Sequence, residues 1–380
     1  MKKKYIILSI ITLVLLITFV TSFNYFKTSN TYVENNSNNQ TKITKGISMN
    51  LEKTAGAGDY KQVTQSSWPT EGYKFNAELS KCENGGEISW DDTKKAVIVS
   101  GNLSDKCYVY FDIYQLTLAE YIKSQYTGTQ GENNIYYHDS SLANGAGDNS
   151  YRYAGASDSV NNYICLGSDA TTCPDANLFR IIGVFGNQTK VIRAKSVGYQ
   201  QWHTSADNTW SSSSLNAYLN GTYLTSLGTI AEKIATTTWK VGGGSGSNIS
   251  ASVPKTAYKN EVGSSASTTI IDKKIGLMYV SDYGFAASPS AWTKILGDYD
   301  GTDANGTSIK TINWMYMGYN EWTISRHSDN TNSAFFVNST GNVLGSNVRS
   351  DNGVRPSFNL ESSVKYVSGS GSMSDPVRVN

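Results

Sequence analysis

The sequence is poor in charge and lacks the basic patches that nucleic-acid binding requires. Asp, Glu, Lys and Arg make up only 17% of its 380 residues. Without the three lysines that precede the first hydrophobic segment, 29 basic residues face 31 acidic ones. Such a composition offers no basic stripe for a phosphate backbone. We therefore expect no nucleic-acid partner.

Catalytic motifs are also absent from the sequence. Its histidines are His138, His203 and His327, and neither a G-x-S-x-G nor an H-E-x-x-H pattern occurs. A hydrolase needs a nucleophile and a base that the fold brings together, and a lone histidine near a serine is usually incidental. We therefore expect no enzyme activity and no cofactor.

Metal-binding patterns are incomplete. The cysteines form no C-x-x-C pair, which argues against zinc. Asp298, Asp300 and Asp303 lie in one turn-rich stretch that calcium could use, but Gly301 occupies the first ligand position of an EF-hand loop and no glutamate closes it. A solvated loop is favoured over a calcium site, and no metal is expected.

The chain begins with a long apolar run, from Tyr5 to Ser22, behind three lysines at positions 2–4. The run is long enough to cross a bilayer as a helix. Because lysine-rich flanks stay in the cytoplasm, the rest of the chain is expected outside. Residues 1–26 are predicted to be a transmembrane signal anchor, and a cleaved signal peptide remains the alternative. With a signal anchor, the chain is a single-pass membrane protein with an extracellular C-terminal domain. With a cleaved signal peptide, it is a secreted protein.

An even number of cysteines in an exported chain favours disulfide bonds. The four are Cys82, Cys107, Cys165 and Cys173. The pairing that is local in sequence joins Cys82 to Cys107 and Cys165 to Cys173. The other two connectivities stay open.

Three segments follow the membrane helix. Residues 27–59 are Asn-rich and nearly free of large apolar side chains, which predicts a disordered tether. Residues 60–115 alternate apolar and polar side chains between turn signals, which predicts a small antiparallel β-domain of four short strands. Residues 116–380 mix helical spacing with short apolar strands, which predicts a single irregular domain. The predicted fold class is therefore α+β.

Several elements of the last segment are predicted individually. A helix is expected after Leu116, with Thr117 as the N-cap and Glu120 completing a capping box. An apolar hairpin is expected around the turn Gly186-Asn187. A second helix is expected from Trp210, and a buried strand over residues 275–280.

Two motifs near the C-terminal end carry a family resemblance. They are Asn320-Glu-Trp-Thr-Ile-Ser-Arg326 and Gly353-Val-Arg-Pro-Ser-Phe-Asn-Leu360. The segment resembles a bacterial surface-protein domain family of unknown function with a C-type-lectin-like fold, of the formylglycine-generating-enzyme type. The oxidase activity of that type needs late cysteines, and none follows Cys173. The resemblance implies a C-type-lectin-like domain over most of residues 116–380.

The resemblance also implies a ligand face on the loops and strands before the final motif. Aromatic faces with amide and guanidinium partners suit sugars or extended peptides. Within the motif, Gly353, Arg355 and Pro356 are expected to be structural, with the guanidinium tying loop carbonyls or a carboxylate. The residues of the implied ligand face are Trp314, Tyr316, Tyr319, Trp322, Arg326, His327, Asn338 and Asn347.

Together these patterns predict a non-catalytic recognition or adhesion protein displayed at a bacterial cell surface. Its partners would be an extracellular glycan or protein ligand, and the membrane through the N-terminal helix. A structural envelope component is the first alternative. An enzyme acting on envelope polymers is the second.

Overall fold

The computed structural model describes residues 46–380 apart from 65–66, 70–71, 102–104, 244–248 and 264–268. The chain divides into two compact units, the first ending at Gln115 and the second beginning at Leu116. The predicted membrane segment, 1–26, and residues 27–45 of the predicted tether lie outside the described residues. Within the described ranges, no helix has the length and apolar character needed to cross a membrane.

The described part of the first unit is built from β-strands. Its strands are β1 Ile47–Glu52, β2 Tyr60–Val63, β3 Tyr73–Cys82, β4 Glu87–Asp91, β5 Ala96–Ser100 and β6 Cys107–Ile113. Four of them form a sheet in the order β2-β1-β6-β3, and β4 pairs with β5. β1 lies within residues 27–59, the stretch predicted to be a tether. The pairing of β1 with β6 is parallel, from Ile47 opposite Cys107 to Leu51 opposite Phe111, whereas only antiparallel strands are predicted.

The core of the first unit is small and aromatic. Met49, Leu51, Val109 and Phe111 are buried, and half-buried aromatic side chains from β3 and β4 pack against them. The disulfide Cys82–Cys107 joins β3 to β6, as predicted. Small domains bury too little apolar surface to be very stable, so a covalent bond between neighbouring strands supplies a substantial part of this unit's stability.

The described strands of the second unit form three sheets. A nine-stranded sheet has the order β15-β20-β11-β10-β9-β22-β21, with β8 pairing β10 and β7; a five-stranded sheet has the order β12-β19-β16-β17-β18, and β13 pairs β14. The strands are β7 Ile135–His138, β8 Ser150–Tyr153, β9 Tyr163–Cys165, β10 Leu178–Phe185, β11 Gln188–Arg193, β12 Tyr199–Gln201, β13 Thr237–Lys240, β14 Ile270–Lys273, β15 Ile275–Gly276, β16 Glu321–Arg326, β17 Ser333–Val337, β18 Val343–Asn347, β19 Asp351–Gly353, β20 Ser357–Asn359, β21 Tyr366–Ser368 and β22 Val377–Val379.

Helices in the second unit are short. They are α1 Leu118–Ser124, α2 Ser214–Tyr218, α3 Leu224–Ser226, α4 Pro254–Glu261 and α5 Val280–Ala286. A π-helical turn, Leu219–Tyr223, joins α2 to α3, and 3-10 turns lie at Glu132–Asn134, Asp175–Asn177, Trp210–Ser212, Gly228–Lys233, Pro289–Ala291, Leu296–Asp298 and Ile309–Ile312.

The predicted α+β class is wrong, because the described chain is mostly β with few helices. The helical spacing from Trp210 to Tyr223 produces a 3-10 turn, an α-helix and a π-helical turn rather than one long helix. The buried strand predicted over 275–280 ends at Gly276, and Val280 already begins α5. Periodic apolar residues in such short segments do not distinguish a strand from a helix.

Predictions that rest on local signals are confirmed. Thr117 caps α1, and its hydroxyl and the Glu120 carboxylate form the capping box. β10 and β11 form the predicted hairpin across Gly186-Asn187, with Phe185 opposite Gln188. The disulfide Cys165–Cys173 is present. Six tryptophans are fully buried in this unit: Trp202, Trp210, Trp239, Trp292, Trp314 and Trp322.

Candidate ligand-binding surface

The two tryptophans assigned to the ligand face by resemblance belong to the core. Trp314 and Trp322 are fully buried. The Trp314 indole N–H donates to the carbonyl of Tyr153 at 2.8 Å, and that of Trp322 donates to the carbonyl of Gln200 at 2.8 Å. Neither ring has a face available to a ligand in this structure.

The other six residues of that set lie at opposite ends of the five-stranded sheet. Arg326 ends β16 and Asn347 ends β18, and β17 runs antiparallel to both. Tyr316, Tyr319 and Asn338 belong to the loops at the other end of β16 and β17. Strands of five or six residues separate the two groups by roughly 15–20 Å. The structure therefore does not bring the set together as one face.

At the first end, polar contacts hold the loop that follows β16. Asn208 donates its amide protons to the carbonyls of His327, Asn330 and Ser333, at 2.6 to 2.9 Å. The Asn208 side-chain oxygen accepts from Arg326 Nη1 at 3.2 Å. Arg326 Nε donates to the carbonyl of Val241 at 3.1 Å. The guanidinium of Arg326 is thus occupied by structural bonds.

His327 is half-buried at the same end. Its ring stacks on Phe335 with the centroids 4.1 Å apart, and Nδ1 lies 3.5 Å from the Asp329 carboxylate. Burial lowers the pKa of His327 below its ordinary value, although Asp329 opposes that shift. A neutral imidazole packed on a phenyl ring fills space in the sheet. Asn347 is exposed, and its side-chain oxygen accepts from the Arg349 N–H at 3.0 Å.

At the second end, two tyrosines form an accessible aromatic surface. Tyr199, in β12, is 60% exposed. Its ring centroid lies 6.2 Å from that of half-buried Tyr319. Tyr199 was not predicted, because β12 has only three residues and its partner Gly353 is distant in the sequence. We call this pair the Tyr199–Tyr319 surface.

Gly353 allows Tyr319 to take its place on this surface. A Cβ atom at position 353 would lie 2.8 Å from Tyr319 Cε2 and 2.9 Å from the carbonyl oxygen of Asn320. Real Cβ atoms do not approach other atoms so closely. Only glycine therefore lets the Tyr319 loop pack on β19 without a shift of the backbone.

A buried ion pair fixes the same loop from below. Arg355 donates through Nε and Nη2 to the two oxygens of Glu321, at 2.5 and 2.9 Å, and through Nη2 to the carbonyl of Met315 at 2.9 Å. The fork geometry holds both ends of the loop that carries Tyr319. Burial raises the pKa of Glu321, and Arg355 opposes that shift. The carbonyl of Pro356 accepts from the Arg193 N–H at 2.9 Å.

The loops next to this surface supply amide groups. The Asn320 side-chain oxygen accepts from the Ser339 N–H at 2.9 Å, and the Tyr316 hydroxyl donates to the Ser339 carbonyl at 2.7 Å. Asn338 accepts from three groups of its own turn, including the Asn342 N–H at 2.9 Å. Where tyrosine rings and amide side chains share a surface, the rings can stack on an apolar ring face and the amides can orient its polar substituents.

The acidic loop that resembles a calcium site stabilises itself. Asp303 is buried, and its Oδ1 accepts from the N–H groups of Asn305 and Thr307 at 2.9 and 2.8 Å. Across the described ranges, no three His, Cys, Asp or Glu side chains are grouped closely enough to hold a metal.

These features define a mostly β, disulfide-bonded protein with a pair of tyrosines of which Tyr199 is exposed and Tyr319 half-buried. Residues 186–362 match a domain of unknown function, DUF6273. That range contains Tyr199, Tyr319, Gly353 and Arg355. No curated protein and no solved structure matches the chain, so the C-type-lectin-like fold implied by resemblance is not confirmed.

Proposed function

We propose that this chain is a non-catalytic recognition protein that binds a glycan at the Tyr199–Tyr319 surface. The observation that carries the proposal is that the exposed ring of Tyr199 lies beside the ring of Tyr319, with the two centroids 6.2 Å apart. Aromatic rings that lie side by side at the surface, rather than singly, are typical of ligand-binding surfaces.

The chemistry of the surface favours a sugar over a charged ligand. Tyr199 and Tyr319 offer aromatic faces, and the side chains of Asn320, which follows Tyr319 in the chain, and of Asn338 are uncharged. The guanidinium of Arg355 lies below the surface and is committed to Glu321 and Met315. A pyranose ring combines an apolar face with hydroxyls, which matches stacking rings flanked by amide groups.

The proposal also includes the place where the protein acts. The chain would be displayed outside the cell, held by the apolar segment before residue 27 or released by its cleavage. Both disulfides are compatible with an oxidising compartment. A glycan ligand would then belong to a neighbouring cell or to the surrounding matrix.

The test is a glycan array probed with the full chain, followed by titration of the strongest ligand. Loss of one stacking contact is worth about 0.5–1.5 kcal/mol, so we expect Tyr199→Ala to weaken binding by about two- to tenfold. The matched control is Met373→Ala, because Met373 is 63% exposed and lies in the turn before β22.

Equal affinity of Tyr199→Ala, Tyr319→Ala and the wild-type chain would refute this surface. If the chain instead binds unglycosylated proteins saturably, its ligand is a protein and not a glycan.

A further inference from the structure

A lysine and an aspartate form a buried contact in the second unit, and neither belongs to the Tyr199–Tyr319 surface. Lys190, in β11, and Asp282, in α5, are both buried. Lys190 Nζ lies 2.5 Å from Asp282 Oδ2. They are 92 positions apart in the sequence, so the contact joins the nine-stranded sheet to a helix.

Aromatic rings surround the lysine. The Nζ atom lies 4.6 Å from the centroid of the Tyr279 ring, 5.4 Å from that of Trp239 and 5.8 Å from that of Phe185. Burial lowers the pKa of Lys190, and Asp282 opposes that shift. In such surroundings an ammonium loses most of its hydration, so the free-energy cost of forming the neutral amine is lower.

A second acid contacts the start of the same helix. Glu261 accepts from the N–H groups of Val280 and Ser281, at 2.9 and 2.8 Å, and from the hydroxyl of Ser325. Burial raises its pKa to about 7. Asp282 follows directly in the chain, and its Oδ2 accepts from the Tyr279 N–H at 2.9 Å. The Glu261 carboxylate, which comes from the end of α4, therefore lies against the first turn of α5, the helix that carries Asp282.

Arg152 completes the cluster. Its Nη1 lies 3.7 Å from Asp282 Oδ1, and its Nη2 lies 2.6 Å from the Asp148 carboxylate. A fixed guanidinium beside a carboxyl oxygen stabilises negative charge that develops there.

We propose that Lys190 and Asp282 condense into an intramolecular amide bond, with Glu261 as the proton-transfer group. A proton first passes from the Lys190 ammonium to the carboxylate across their short contact. The Nζ lone pair then attacks Asp282 Cγ, and Arg152 stabilises the oxyanion. The attacking nitrogen loses a second proton, which Glu261 relays to the departing oxygen.

The atoms balance without any co-reactant. The N–C bond forms, one C–O bond of Asp282 breaks, and that oxygen leaves with two protons as water. No atom is oxidised or reduced. Holding amine and carboxyl in contact in a dry site makes the step effectively unimolecular, which favours a reaction that is unfavourable between free groups in water.

The decisive measurement is tryptic mapping of the full chain, denatured and with its disulfides reduced and alkylated. Trypsin does not cut after an acylated lysine. We therefore expect Ile181–Arg193 joined to Ile275–Lys294, at the summed mass less one water. Ile181–Lys190 and Ile275–Lys294 recovered as separate peptides from all of the protein would overturn the proposal and leave a plain ion pair.

Variants test the assigned roles. Lys190→Met and Asp282→Ala should abolish the joined peptide. Glu261→Gln should reduce it at least tenfold, whereas the control Glu232→Gln, on the exposed surface, should retain it. A joined peptide at wild-type yield in Glu261→Gln would overturn the role of Glu261. Because the wild-type map alone decides whether the bond exists, the test stands even if a variant fails to fold.

Discussion

Replacing Arg355 by methionine should destabilise the second unit strongly. The substitution leaves the Glu321 carboxylate buried without the partner that now lies 2.5 Å away. Breaking a buried ion pair from one side costs about 3–5 kcal/mol, because the remaining charge is neither solvated nor paired. The loss of the bond to the Met315 carbonyl adds about 1 kcal/mol.

The double variant Arg355→Met/Glu321→Leu provides the comparison. With both charges removed, no uncompensated charge remains, and apolar replacements of a buried pair are often neutral or stabilising. We therefore expect the double variant to be more stable than Arg355→Met alone. Because an unpaired buried carboxyl is tolerated once protonated, the cost of the single variant should also shrink at acidic pH.

Urea denaturation measures these differences. Six of the eight tryptophans belong to the second unit, so fluorescence mainly reports its unfolding. A free energy of unfolding for Arg355→Met within 1 kcal/mol of wild type would refute the reasoning. A double variant less stable than the single one would do so too.

Three further predictions concern other parts of the chain. Cys82→Ser/Cys107→Ser opens a loop of 25 residues, so the first unit should lose about 3.5 kcal/mol of stability by the loop-entropy model, measured by urea denaturation followed by circular dichroism. Burial raises the pKa of Glu261 from 4.5 to about 7. Its contribution of about 3 kcal/mol to the free energy of unfolding is therefore fully present below pH 4.5 and lost as the pH rises through 7. Glu261→Gln should make the free energy of unfolding, measured at several pH values, depend less on pH, and an unchanged dependence would contradict the assignment. Gly353→Ala should cost about 1–3 kcal/mol and displace Tyr319, which thermal unfolding and glycan titration would reveal.

The features that the sequence predicted correctly depend on neighbours along the chain. The Gly186-Asn187 hairpin and the Thr117 cap need only a few adjacent residues. The pairing of Cys82 with Cys107 and of Cys165 with Cys173 also joins cysteines that are close in sequence. In each case the local signal and the final fold agree.

The Tyr199–Tyr319 surface could not be predicted in the same way. Tyr199 lies opposite Gly353, and nothing in the sequence around position 199 indicates that partner. Trp322 has the alternation expected of a half-exposed strand, yet it is fully buried. Whether an aromatic side chain faces ligand or core depends on which segments pack over it, and those contacts are long-range. The contact between Lys190 and Asp282 could not be predicted either, because the two residues are 92 positions apart in the sequence.

The parallel pairing of β1 with β6 has a mechanical consequence. Tension that enters the first unit before Ile47 and leaves after Ile113 pulls the two strands along their length in opposite directions. The ladder from Ile47–Cys107 to Leu51–Phe111 is then loaded in shear, so its hydrogen bonds must break together rather than one after another. The Cys82–Cys107 bond further limits how far the chain can extend.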